Sequence, residues 1–309
     1  MIVLNMIVKD EAHCIARCLR SVIGTIDAAV IVDTGSTDRT MDVISEELAS
    51  VPHRIESRPW VDFAHNRTEA FLAAQYMFRE MGGHAFIIDA DEELRAPAGW
   101  RVPPLTCGLA GMWNTTPKGG RYLRPQVLSL DHDFYWQGAV HEELLCKQDV
   151  EAVRLEGATV HGHFDSRRNH DPDKFLKDAA LLRKQPATPR NTFYLAKSLQ
   201  DAGALDRAKV AYRQRIAMGG FEEEVWYSLF MVASIMEATG RKKEDVIGAY
   251  VKAYQFRPSR AEPLRALAAY QLRQGNVEQH RLNHEVANRI PMTSDVLFVD
   301  PSAYQPIIA

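Results

Sequence analysis

Hydrophobic runs and polar breaks alternate regularly through the first third of the chain. Residues 2–8 are almost all aliphatic and predict a buried strand. Ile15, Cys18, Leu19 and Val22 then recur at i, i+3, i+4 and i+7, the spacing of one helical face. Residues 28–32 form a second short apolar run, and Met41, Ile44 and Leu48 mark the helix after it, with Ser36, Thr37 or Asp38 available as its cap. Arg54, Ile55 and Glu56 suggest a third strand before Pro59. A helix from about Asn66 is expected to bury Phe71, Ala74, Phe78 and Met81, and residues 85–88 form a fourth strand. Strand and helix in this alternation predict a mainly parallel sheet with helices on its faces. Beyond Leu94 the order loosens. Residues 112–116 read as a strand leading into a turn at Lys118-Gly119-Gly120, with residues 122–128 returning from it.

From Pro172 onward the helical period takes over. Residues 191–219, 223–258 and 260–290 each read as two helices joined at Gly203, Gly240 and Gly275. That interval lies close to the roughly 34 residues of tetratricopeptide repeats, which stack into arrays with an extended binding face. Tyr194, Tyr212, Trp226, Tyr227, Phe230, Tyr250 and Tyr254 fall at helical spacing, which marks them as packing between helices. The tail from Pro291 is expected to run irregularly over the surface. The expected organisation is an α/β domain over residues 1–168 followed by an all-α domain over residues 169–309.

Composition changes this picture little. With 309 residues, 46% of them hydrophobic and 25% charged, the chain reads as a folded protein of two domains. A formal charge of −3 supplies no global field for nucleic acid or an anionic membrane. Lys9, Asp10 and Glu11 end the first apolar run too early for a signal peptide, and no run reaches membrane-spanning length. The four cysteines are too few for a disulfide framework, and Cys14 and Cys18 read as apolar packing. A cytoplasmic location is expected.

The candidate chemistry lies where strands stop. Asp33 follows one apolar run, and Asp89-Ala90-Asp91 with Glu92 and Glu93 follows another. In a parallel sheet these ends share an edge, where open α/β sheets bind ligands. Asp89 and Asp91, two apart on an extended strand, would point the same way. They would then hold a hard divalent ion together with substrate phosphates; a solvated acidic turn is the alternative. Gly35, directly after Asp33-Thr34, permits a tight turn and close backbone approach to a ligand. The glycine fingerprints of dinucleotide and P-loop sites are absent. His161 and His163 lie on one side of a short predicted strand near the acids.

Four motifs occur in order: Met6-Ile7-Val8-Lys9-Asp10-Glu11, Val32-Asp33-Thr34-Gly35-Ser36-Thr37-Asp38, Phe63-Ala64-His65-Asn66-Arg67 and Ile88-Asp89-Ala90-Asp91-Glu92. Together they resemble family 2 glycosyltransferases of the GT-A fold, over about the first half of the chain. Trp136 to Leu144 resembles that family's acceptor-side G-x-V-H-E segment. The resemblance implies a metal-dependent, inverting transfer of a sugar from a nucleotide-diphosphate donor, expected to be a UDP-sugar. It places Ile7, Val8, Lys9, Glu11, Asp33, Thr34, Gly35, Asn66, Arg67, Asp89, Ala90 and Asp91 at the donor. Mn²⁺ or Mg²⁺ would sit on Asp91 and Asp89, with His161 as a third ligand or a diphosphate contact and His163 as a further candidate. Thr34 stands where many members carry a second acid. Glu142 is the candidate general base, with His141, of unperturbed pKa about 6.5, as the other choice. The acceptor is left open among glycan, peptide or protein, and modified DNA; repeat arrays favour a macromolecule. An inactive adaptor and a sugar nucleotidyltransferase are the competing readings.

Overall fold

The computed structural model describes residues 1–306. The final three residues of the expected helical domain lie outside the described residues. Among those described, the backbone forms two compact units, one of Met1–Lys118 with Leu123–Pro172, the other of Gly119–Tyr122 with the chain from Asp173 onward. Residues 169–172 thus belong with the first unit.

The first unit is built on β1 (Ile2–Val8), whose apolar run is covered on both faces, as a central parallel strand requires. α1 (Ile15–Val22) buries the four residues its spacing marks out, Ile15, Cys18, Leu19 and Val22. β2 (Ala28–Asp33) is buried throughout and leads to α2 (Thr40–Glu47) and β3 (His53–Ser57). α3 (Phe63–Phe78) starts earlier than its periodicity suggests, because the Asp62 carboxylate accepts the His65 N–H and caps it. It buries Phe71 and Ala74, but the helix stops at Phe78 and Met81 is exposed in the 3₁₀ turn that follows. Gly82, at φ +64°, ends that turn in the left-handed conformation.

β4 (His84–Ile87) and β5 (Glu92–Arg95) are adjacent in sequence but not in the sheet. The remaining strands are β6 (Leu109–Thr115), β7 (Arg121–Ser129), β8 (Phe134–Gln137), β9 (Glu143–Cys146) and β10 (Ala152–Gly162). Eight of them form one sheet in the order β3-β2-β1-β4-β7-β6-β10-β5, while β8 and β9 make a separate antiparallel pair. The first four in that order are mutually parallel, in register Val8 with Asp33 and Asn5 with Ile87. Parallel pairing recurs between β6 and β10, as the expected mainly parallel sheet requires. β7 runs antiparallel to β4, and β5 antiparallel to β10, so the sheet is mixed. Its edges are β3 and β5, both short and charged.

The second unit is all helical: α4 (Lys174–Leu182), α5 (Pro189–Asp201), α6 (Leu205–Met218), α7 (Glu222–Ala238), α8 (Lys243–Phe256), α9 (Glu262–Arg273) and α10 (Val277–Asn288). The pairs α5/α6, α7/α8 and α9/α10 turn at Gly203, Gly240 and Gly275, all at positive φ. Phe193, Tyr212, Trp226 and Tyr250 are buried between helices, where their spacing places them. The tail from Pro291 is irregular, yet Asp295 and Val299 are buried, so it is not the loose surface segment its composition suggests. No helix among the described residues is long and apolar enough to cross a membrane.

Candidate functional site

The loops after β1 and β2 are fastened to each other. Asp10 takes a left-handed backbone (φ +54°), and its carboxylate accepts the Thr37 N–H at 2.6 Å. The Glu11 N–H donates to Thr40 Oγ1 at 2.7 Å, and the Thr34 hydroxyl donates to the Val8 carbonyl at 3.0 Å. The Asp33 carboxylate accepts the N–H groups of Gly35 and Ser36 at 3.1 Å, closing the tight turn that Gly35 (φ +103°) permits. Asp33 and Thr34 therefore shape the rim of the sheet edge. Ile7 is half-buried, Val8 buried and Lys9 exposed beside them.

A guanidinium occupies the centre of the site. Arg67, one turn into α3, donates from Nη2 to Asp89 Oδ1 at 2.7 Å and from Nε to Glu142 Oε1 at 2.6 Å. Its neighbour Asn66 is fully buried and acts on the loop before α3, accepting the Val61 N–H and donating to the Pro59 carbonyl. Glu142 arrives from the other side, on the loop between β8 and β9. Here β8 packs on α3 through Phe134 and Trp136 against Phe71, and the Trp136 N–H donates to Thr68 Oγ1. His141, at φ +53°, is exposed on the same loop.

Asp89-Ala90-Asp91 is a turn and not a strand extension. The Asp89 carbonyl accepts the Glu92 N–H at 3.0 Å, and the Glu92 carboxylate accepts the Asp89 N–H at 2.9 Å. The two aspartates thereby acquire different partners. Asp89 faces Arg67 and, at 3.5 Å, Arg124, which also pairs with Glu92. Asp91 accepts only neutral donors in the contacts seen, the Ser166 N–H at 3.3 Å and the Asn169 amide at 3.1 Å. Ala90 is buried between them.

This difference sets their electrostatics. Burial opposes ionisation of Asp89, but Arg67 and Arg124 outweigh it and hold the carboxyl below the usual range. The same balance keeps Arg67 charged: burial works against it, and Asp89 and Glu142 more than compensate. Among the described residues no cationic side chain pairs with Asp91. Burial first, then the charge of Asp89, push its carboxyl up. Glu11 is likewise pushed up, mainly by burial, with Asp91 adding to the effect. Two carboxylates short of positive charge at one sheet edge suit a hard cation with oxygen ligands.

Glu11, His13 and Cys14 also offer donor atoms within 4.8 Å of one another. The Cys14 thiol, however, is driven far above its ordinary pKa by burial and donates its proton to Glu11. It therefore acts as a neutral hydrogen-bond donor there and not as a thiolate ligand. His161 contacts Thr115 Oγ1 through Nδ1 at 2.9 Å, and His163 reaches Glu93 at 3.0 Å; their rings meet edge to face at 4.8 Å. Burial, then the charge of Arg95, lower the pKa of His161, leaving a neutral imidazole able to ligate.

No protein-family model matches the chain. Over 92 residues it is 40% identical to a TPR repeat-containing protein of Synechococcus elongatus; the match takes in 29% of this chain and only 20% of that relative. Among solved structures it is similar to S. aureus TarS 1–349, with 12% identity, 92% and 90% of the two chains covered and a TM-score of 0.33; TarS is also solved in complex with UDP-GlcNAc. It is similar as well to the mannosyltransferase PcManGT from Pyrobaculum calidifontis in complex with GDP-Man and Mn²⁺, at 15% identity, 82% and 86% coverage and a TM-score of 0.37. Backbone likeness of that degree decides no activity, which has to be read from the residues.

Arg124, Ser166, Arg167 and Asn169 belong to the site without any local signal in the sequence. Arg124 sits within β7, and only the pairing of β7 with β4 brings it to Asp89 and Glu92. Arg167 pairs with Asp10 at 2.6 Å, and its N–H reaches Glu11. With Asn169 it lies in a 3₁₀ turn after β10.

Proposed function

We propose that the chain is a metal-dependent, inverting glycosyltransferase that uses a nucleotide-diphosphate sugar. The observation that carries this reading is the pairing of under-compensated acids, Asp91 and Glu11, with an Arg67 that holds Asp89 and Glu142, all at the carboxyl edge of β1, β2 and β4. Asp91 and Glu11 would hold Mn²⁺ or Mg²⁺, whose preference for oxygen donors they fit; among the described residues His161 is not gathered with them within 4.8 Å, and Asp89 is engaged by Arg67 and Arg124. When bound, the ion supplies positive charge against the diphosphate leaving group.

The chain's own groups do the rest. The loop shaped by Asp33, Thr34 and Gly35, with Ile7 to Lys9 alongside, receives the nucleoside. Arg67 and Arg124 fix the acidic turn and hold Glu142 in place. Glu142 takes the proton of the acceptor hydroxyl as its oxygen bonds to the anomeric carbon. The bond from that carbon to the diphosphate oxygen breaks, and the nucleoside diphosphate leaves with both electrons. A single displacement inverts the centre. Proton removal by a placed carboxylate contributes about 10²–10⁴ in rate.

The test is a panel of UDP- and GDP-sugars with and without Mn²⁺, read by nucleotide release, product mass and thermal melting. One nucleotide diphosphate at about 100 times its Kd should add roughly 2.7 kcal/mol of stability, and only with the metal. Transfer of sugar without phosphate separates this reaction from nucleotidyl transfer. Absence of any metal-dependent shift across the panel would overturn the assignment.

A further inference from the structure

A line of buried carboxamides crosses the sheet close to the two arginines that hold Asp89. Asn5 of β1 stands in register with Val30 of β2 and Ile87 of β4. Its Nδ2 donates to the Val30 carbonyl at 3.2 Å and to the Ala70 carbonyl of α3 at 2.8 Å. On the other side of β4, Gln126 of β7 donates from Nε2 to the Ile87 carbonyl and accepts from Asn114 Nδ2 of β6 at 3.2 Å. Asn114 also donates to the Met112 carbonyl at 3.0 Å. All three side chains are buried, and Asn114 Oδ1 has no hydrogen-bond partner among the described residues. Burying an amide costs stability that an aliphatic side chain would not, so packing alone does not account for this line.

Each part of the line is fastened to an element that carries one of the guanidiniums. Asn5 grips α3 at Ala70, about one turn beyond Arg67. Asn5, Ile87 and Arg67 also line one cavity of about 10 Å³, which places the line beside the guanidinium. Gln126 follows Arg124 in β7 across Pro125. The backbone register of β4 with β7 runs to Phe86 and Val127, and beyond it the Gln126 amide holds the Ile87 carbonyl. β4 ends at Ile87, just before the acidic turn. The same amide therefore fixes where the turn leaves the sheet and where Arg124 stands to meet Asp89 and Glu92.

We infer that Asn5 and Gln126 are positioning residues for the site: Asn5 sets Arg67, and Gln126 sets Arg124 and the departure of the acidic turn that presents Asp91. Neither acts on substrate or ion directly. Asn114 orients the Gln126 amide by donating to its oxygen, which leaves Nε2 for the Ile87 carbonyl. The inference rests on the sugar-transfer reading for what the site does, and on the hydrogen bonds alone for which residues hold the arginines.

The experiment uses the full chain with Gln126→Met, Arg124→Met, Asn5→Leu and Arg67→Met, singly and in the pairs Gln126 with Arg124 and Asn5 with Arg67. Thermal melting of the metal-free protein reads each pair as a cycle. Each double variant should lose less than the sum of its singles, because an arginine freed from its anchor no longer makes the contacts that its own removal deletes. Additive losses in either pair would overturn the assignment of that amide. Binding of Mn²⁺ in the presence of UDP or GDP is then followed by the paramagnetic signal of the free ion. Gln126→Met should weaken it at least about tenfold, the usual effect of losing a group that orients a metal ligand. Adding Asn114→Leu to Gln126→Met removes the amide left unpaired, so the melting temperature should recover while Mn²⁺ affinity should not. Recovery of both would make the role of Gln126 purely structural and overturn the inference. A native chain that binds no Mn²⁺ with either nucleotide would refute the sugar-transfer reading, and the melting cycles would still decide the positioning.

Discussion

Replacing Arg67 with Met tests whether one guanidinium makes the acidic site tolerable. In the native chain Arg67 lies 2.7 Å from Asp89 and 2.6 Å from Glu142, and its side chain is only 14% exposed, as is that of Glu142. Methionine fills similar volume but leaves both carboxylates without that partner. Arg124, 3.5 Å from Asp89, still compensates that carboxylate. Removing one partner of a buried pair costs about 3–5 kcal/mol, and with Arg124 retained the lower end is expected. In a unit of this size, about 3 kcal/mol lowers Tm by roughly 6–12 °C. Thermal melting and urea titration of Arg67→Met would measure the loss. The decisive companion is Arg67→Met with Glu142→Gln: a neutral amide needs no counter-charge, so about half of the lost stability should return. A double variant no more stable than the single one would refute the electrostatic reasoning.

Other outcomes follow from the same structure. Asp91→Asn should lower turnover about 10²–10³-fold. It should also raise the Tm of the metal-free protein: the native state holds the Asp91 proton more tightly than the unfolded chain, so stability falls as pH rises from the ordinary carboxylate value through the raised one, and the ionised group is a burden at neutral pH. A lower metal-free Tm would contradict this. For Asp295 the sign reverses. Burial opposes its ionisation, but Arg257 and Arg260 hold its pKa down despite the nearby acids Glu223 and Glu262, so its stabilisation is present above the ordinary carboxylate value and lost as pH falls through the lowered one. Proteolysis near Pro291 should accelerate in that acid range, and Asp295→Asn should remove the pH dependence. Gly203→Ala should cost about 1–2 kcal/mol on thermal melting, because φ is +74° and nothing crowds the position, leaving backbone strain as the sole cause.

Local pattern carried the outline of both units. The aliphatic runs of β1 and β2, the Ile15–Val22 face and the turn glycines at 203, 240 and 275 each depend on neighbours in sequence, so they were legible. The acidic turn was not. Its geometry depends on Glu92 folding back onto the Asp89 N–H, and on a chain that leaves β4 to rejoin the sheet at its far edge as β5. Arg124 and Asn169 were hidden for the same reason, since their partners lie 32 or more residues away in sequence. Asn66 illustrates the converse. It belongs to a motif that resembles a donor-facing one, yet its amide closes the loop from Pro59 to Val61. The tail runs irregularly as expected, but its burial was not legible, because its partners Glu223, Arg257, Arg260 and Arg265 lie 35 or more residues away in sequence and give no periodic signal.

The two outer strands of the eight-stranded sheet bear on how this chain behaves when concentrated. β3 lies between Pro52 and Pro59, and its Glu56 pairs with Arg54 within the strand and with Arg58 just beyond it. β5 is four residues long, with Glu93 bound to Arg95 and His163. A strand from another molecule would have to strip these ion pairs or abut a proline that lacks a donor, so neither border is a template for lateral growth. Crowded solutions should accordingly resist cross-β fibre formation for as long as the sheet stays folded.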